Sequence, residues 1–189
     1  MKGRPYRMPN QTDNNVSAEG IAAAASKAAQ KGGLPPVHLW NPPFCGDLDM
    51  EIRADGTWFY QGTPIGRSAM VRLFSTVLKR EDDRFFLVTP VEKVGIRVED
   101  APFIATDAEI AADRITFTTN VGDEVTADAD HPIIIRGDKA EPRPYVHVRA
   151  GLEALIDRKT FYRLAAAAED GPDGRAGVHS GGQFFALEV

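Results

Sequence analysis

The 189-residue sequence has one cysteine, four histidines and no long apolar run, and each shortage removes a class of protein. Cys45 has no second cysteine in the chain to bond, which excludes the disulfide framework of a small secreted domain and a Cys-x-x-Cys metal site. No pair among His38, His131, His147 and His179 has the spacing of a helical zinc-protease motif. No stretch approaches the roughly 20 apolar residues that a bilayer-crossing helix needs. The basic start MKGRPYRMPN runs into polar QTDNN and then IAAAASKAAQ, which Lys27 interrupts, so no secretory leader is expected and the expected location is the cytoplasm.

Positive charge is also scarce. With 22 Lys and Arg against 27 Asp and Glu, the net charge is −5. Proteins that coat nucleic acid or anionic membrane need a concentrated basic surface, so a nucleic-acid role stands only as a second alternative and no membrane partner is expected. Neither GxGxxG nor the phosphate-loop pattern GxxxxGK(S/T) occurs. The serines at 17, 26, 68, 75 and 180 lack the Gly-x-Ser-x-Gly elbow of a nucleophile. No cofactor is implied.

What is present is an ordinary globular composition, 43% apolar, long enough for one medium domain or two small ones. Residues 1–33 read as a flexible arm followed by an alanine-rich helix from Ala18 to about Lys31, capped by Ser17 and stopped by Gly32-Gly33. LPPVHLWNPPFCG then reads as an ordered wrap, directed by its prolines and pinned by Leu39, Trp40 and Phe44. In DLDMEIRADGTWFYQG, Leu48, Met50 and Ile52 alternate with Asp47, Asp49, Glu51 and Arg53, which predicts a hairpin turning at Asp55-Gly56 with one dry face. Met70, Leu73, Phe74, Val77 and Leu78 then form the stripe of an amphipathic helix.

The last third restates that pattern. YVHVRAGLEALIDRKTFYRLAAAAED again reads strand, glycine turn, strand, helix. Ile65 aligns with Ile156, Arg67 with Arg158, Met70 with Phe161, Leu73 with Leu164 and Gly56 with Gly151. The expected fold is therefore α+β: two domains with a duplicated β-β-α core motif, an N-terminal one over 34–95 and a C-terminal one over 96–189.

Few side chains suggest chemistry. Asp47, Asp49 and Glu51 share one strand face about 7 Å apart. They are weak metal candidates, and the same pattern is the solvent side of an amphipathic strand. His131, after Asp128 and Asp130, is the one candidate acid–base group, and the leading alternative function is a small enzyme using it or a cleft carboxylate. Arg67 and Arg158 stand where a helix begins, an end that disfavours positive charge, so each invites an anionic partner. Glu92 and Lys93 are charges in an otherwise apolar block, and Glu92 is expected to pair with Arg67.

The blocks DLDMEIRADGTWFYQGTPIGRSAMVRLFSTVL and FFLVTPVEKVGIRVEDAPF resemble an uncharacterised bacterial family, domain of unknown function number 1285, over about residues 34–185. The resemblance implies a two-domain protein whose C-terminal half is like a pleckstrin-homology domain, a bent sheet with a covering helix. It also implies a ligand site near the domain interface and a regulatory or signalling role. The corresponding blocks here are Trp58, Pro64, Ile65 and Arg67 with Thr89, Pro90, Val91, Glu92 and Lys93. The function expected is a non-catalytic module that binds a small molecule or peptide at that interface. Trp58, Arg67, Glu92, Lys93 and Arg158 are its candidate ligand residues, and a protein partner or a homo-oligomer is compatible with it.

Overall fold

A computed structural model describes residues 16–29 and 32–189. The arm expected over residues 1–16 lies outside the described residues up to Asn15, as does the expected end of the first helix at Lys31. Helix α1 (Ala18–Ala29) begins where its capping residue predicts: Ser17 Oγ accepts from the Gly20 amide at 3.1 Å. Ala18, Ile21, Ala22 and Ala25 bury the inner face of α1, which packs on α2 (Ser68–Thr76).

The first half of the chain forms six strands: β1 (Phe44–Ile52), β2 (Trp58–Tyr60), β3 (Thr63–Pro64), β4 (Leu78–Glu81), β5 (Arg84–Val88) and β6 (Lys93–Val98). The predicted hairpin is β1–β2, with Met50 opposite Tyr60 and Ile52 opposite Trp58. Leu48, Met50 and Ile52 face the core while Asp47 and Asp49 face solvent. Helix α2 is shorter than its apolar stripe. Val77 closes the helix and Leu78 opens β4, yet both stay buried in the same core.

The second half repeats that sheet with β7 (Phe103–Ile110), β8 (Ile115–Thr119), β9 (Glu124–Thr126), β10 (Ile133–Gly137), β11 (Pro142–Arg149) and β12 (Leu152–Ile156). The strand orders are β3-β2-β1-β6-β5-β4 and β10-β11-β12-β7-β8-β9. Read in the same direction, these are one topology. Each sheet is two antiparallel three-stranded meanders, joined by a parallel pairing of the first strand with the last, β1 with β6 and β7 with β12. The two halves are therefore similar domains, each with a sheet and a helix.

This corrects the register of the repeat. β1 corresponds to β7, not to β11. α2 links the third and fourth strands of its sheet, whereas α3 (Arg158–Ala166) follows the sixth strand of the second sheet and packs on β7. Arg67 is the N-cap of α2 and Arg158 the first residue of α3, so the two arginines are not equivalent positions. An apolar helical stripe after a hairpin recurs wherever a helix covers a sheet, and so it mimics a repeat. The expected division after residue 95 falls inside β6, which pairs with both β1 and β5 and runs to Val98.

A three-stranded sheet, β13 (Glu169–Asp170), β14 (Ala176–Ser180) and β15 (Gln183–Ala186), closes the chain beside α3. One buried apolar cluster runs through both halves. The proline-rich wrap departs from expectation: Leu39, in the Val37–Leu39 turn, is 72% exposed and Phe44, the first residue of β1, is 49% exposed, with only Trp40 partly buried. Fixed proline geometry directs the chain, but the tight turn at Val37–Leu39 sends Leu39 and the next residue, Trp40, to different sides.

Candidate functional site

The seam between the two sheets is filled by polar bonds and close packing. Arg149 on β11 holds Asp123 with one guanidinium nitrogen and donates to the Ser75 carbonyl of α2 with the other, at 3.0 Å. Arg80 donates to the Gly151 carbonyl at 3.1 Å, and the Arg72 guanidinium lies against Gly122. Asn120 accepts from the Ile104 amide at 3.0 Å and reaches the Gly56 carbonyl at 3.5 Å.

None of the five expected ligand residues converges on that seam in a shared cluster. Trp58 is 1% exposed and stacks on Phe74, ring centroids 6.3 Å apart, so it belongs to the core. Arg67 and Arg158 are exposed at the starts of different helices. The expected Arg67–Glu92 ion pair is absent among the described residues. Lys93 pairs instead with Glu81 at 2.8 Å, and Lys79 joins the same carboxylate at 3.1 Å. Both ammonium groups hold the Glu81 carboxyl below its usual range.

The acidic row on β1 is matched by arginines. Asp47 pairs with Arg84 at 3.0 Å, and Arg97 reaches Asp49 at 3.2 Å and Glu51 at 3.6 Å. Among the described residues no three His, Cys, Asp or Glu side chains gather closely enough to hold a metal. The row is the wet side of an amphipathic strand.

The histidines form a satisfied pair. Asp128 accepts from the His131 amide at 2.8 Å and contacts its Nδ1 at 3.0 Å, and the His131 hydrogen bond keeps the Asp128 carboxyl below its usual range. The His131 ring stacks on His147 at 5.8 Å. His147 Nδ1 lies 2.9 Å from the Asp130 carbonyl and its Nε2 accepts from the Gly151 amide at 3.0 Å, which sets the ring proton on Nδ1. Among the described residues no hydroxyl or thiol bonds to either ring.

A groove of about 710 Å³ lies elsewhere, on the flank of the first domain. One wall is the outer face of α1: Gly20, Ala23, Ala24, Lys27 and Ala28. The opposite side is Leu34, Pro35, Pro36 and Trp40, with Pro90 and Val91 from the β5–β6 turn. That turn is rigid. Thr89 is fully buried, its amide donates to the Glu92 carbonyl at 2.9 Å, and its hydroxyl accepts from the amides of Val91 and Glu92. The turn therefore holds Val91 outward, 73% exposed, beside Leu34, 53% exposed. The Trp40 carbonyl is held by Lys79 Nζ at 3.4 Å. The volume falls in the range of small-molecule sites. Helical spacing at 20, 24 and 28 carries the signal for the α1 wall, but small residues read equally as ordinary helix formers.

Two family models divide the chain at the end of the first sheet. The N-terminal domain of a family described as a domain of unknown function (DUF1285) matches residues 35–101, and the C-terminal domain of the same family matches 102–187. The chain belongs to the DUF1285 family. It is similar to a DUF1285 protein from Silicibacter pomeroyi DSS-3, known from a crystal structure. The two are 61% identical over 92% of this chain and 97% of that one, with a TM-score of 0.83. A DUF1285 protein from Shewanella baltica OS155 is 30% identical over 61% of this chain and 89% of that one, with a TM-score of 0.51. No curated protein matches the chain. Among the described residues no helix is long and apolar enough to cross a membrane.

Proposed function

We propose that this DUF1285 protein is a non-catalytic binding module with a regulatory role, and that its ligand enters the groove between α1 and the proline strip. The observation that carries the reading is the groove itself: about 710 Å³, almost wholly apolar, with rigid walls and partly exposed large side chains at its rim. The sequence placed the ligand at the seam between the domains instead. Arg149, Arg72, Asn120 and Ile104 already occupy it, which favours the groove.

The pleckstrin-homology-like reading of the second domain belongs to the same proposal. It is supported by a curled sheet whose last strand leads directly into a covering helix, α3. The cytoplasmic setting is likewise part of the proposal and rests on the lone cysteine. An enzyme built on His131 is less well supported, because the ring has no nucleophile bonded to it among the described residues.

Thermal-shift measurements against a panel of apolar small molecules and short peptides test the reading, since a ligand of the folded state stabilises it by mass action. A saturable rise in melting temperature that is lost in Ala24→Phe, which fills the groove, is the expected result. A rise that survives this substitution moves the site away from the groove.

A further inference from the structure

We infer that the groove receives an unbranched apolar chain ending in a carboxylate, such as a fatty acid. This rests on the groove being the binding site, and goes further by naming the chemistry of its occupant.

The walls offer a ligand few polar groups. Pro35, Pro36 and Pro90 have no amide hydrogen, and the interior backbone groups of α1 are spent inside the helix. A peptide laid along such a channel would strand its own amides away from water, at a cost that grows with every residue. A hydrocarbon chain carries no such groups. The small side chains at Gly20, Ala24 and Ala28 recur once per turn, so they leave a shallow track on the helix about 12 Å long at 1.5 Å per residue. That shape suits a narrow, extended chain better than a branched or ring-bearing one.

The charge is equally one-sided. Among the described residues Lys27 is the only ionisable side chain lining the groove, and it has no carboxylate of theirs within 4.0 Å. It lies in the last turn of α1, an end whose dipole disfavours an anion. Among the described residues, recognition of a negative head group therefore falls on the Lys27 ammonium, and none of them lining the groove is an acid that would hold a cationic head.

The protein supplies its own reporter, because Trp40 lines the groove while Trp58 is sealed in the core. Decanoate, titrated below its micelle concentration, is expected to change the tryptophan emission saturably. Octanoate should bind about tenfold more weakly for the two methylenes lost. Lys27→Met, at an exposed site that leaves the fold intact, should weaken decanoate about fivefold and leave decanol unaffected. Equal affinity of decanoate and decyltrimethylammonium, or decanoate binding that ignores Lys27→Met, would overturn the carboxylate assignment. If decanoate is silent while a short apolar peptide binds and is blocked by Ala24→Phe, this inference fails and the groove survives as the site. Undiminished decanoate binding in a folded Ala24→Phe variant sinks both. A dimer that forms with concentration and is lost in Ala24→Phe, with no response to decanoate, would make the groove a contact between copies and overturn the inference.

Discussion

Arg149 and Ser75 lie 74 positions apart in the chain, yet the Arg149 guanidinium donates to the Ser75 carbonyl at 3.0 Å while also gripping Asp123. A single side chain thus closes the C-terminal end of α2, where the helix leaves carbonyls unpaired, and fastens it to the second sheet. The Arg149 guanidinium also lies 5.0 Å from the centre of the Phe103 ring.

Arg149→Ala should therefore cost about 2–3 kcal/mol, because Asp123 loses its charged partner and the Ser75 carbonyl its guanidinium donor in a mostly buried place. Urea unfolding measures it. Arg149→Lys should recover only part of the loss, since one ammonium cannot span both acceptors in the fork geometry of a guanidinium. Equal stability of the lysine variant and the parent would contradict the two-pronged contact.

Gly56→Ala addresses the other side of the seam. Gly56 has φ near 84°, and a Cβ there would stand 2.6 Å from Ile104 Cγ1. Backbone strain and the clash together should cost about 2 kcal/mol or more. Ile104→Ala should return some of that in a double-mutant cycle, because it removes the clash and leaves the strain. Strict additivity of the two substitutions would show that Ile104 is not what constrains position 56.

Glu153 makes a pH prediction. Its two oxygens meet Arg136 Nη1 at 2.6 Å and Nη2 at 2.8 Å, and this pairing holds the carboxyl below its usual range against the opposing effect of burial. A carboxyl depressed in the folded state stabilises it above the unfolded-state value, about 4.3, and loses that contribution as pH falls through the lower folded value. Glu153→Gln should be less stable than the parent at pH 7. Its melting temperature should then fall less steeply below about pH 4.3. Parallel pH profiles for the two proteins would refute the linkage.

Trp58 bears on both stability and function. Its indole nitrogen is buried with no hydrogen-bond partner among the described residues. Trp58→Phe removes that stranded donor while keeping an aromatic ring against Phe74, so its cost should stay within about 1 kcal/mol. Trp58→Ala should cost about 3–5 kcal/mol for the cavity left behind. Ligand affinity should be unchanged in the phenylalanine variant, measured by calorimetry. A selective loss of affinity would return Trp58 to the binding site.

Much of the local structure was readable from residue order. Ser17 and the alanines after it announced α1. The alternation of Leu48, Met50 and Ile52 with Asp47, Asp49 and Glu51 gave β1 its two faces. Met70, Leu73 and Phe74 marked α2. These signals need only neighbours within a turn or a hairpin, so the chain carries them without reference to its final packing. Membership of the DUF1285 family was also carried by the two long blocks that contain them.

What the order of residues left open was long-range pairing. Nothing between Phe44 and Ile52 states that this strand will lie parallel to Lys93–Val98, or that Phe103–Ile110 will do the same with Leu152–Ile156. Those pairings define the true repeat, and they displaced the local match of Arg67 with Arg158. The groove has the same character. Ala24, Pro36 and Val91 are unremarkable residues in three separate segments, and a site exists there only because folding sets them around one space. Periodicity reports which face of an element is dry. It says nothing of which distant element will cover that face, or which part of it will be left uncovered.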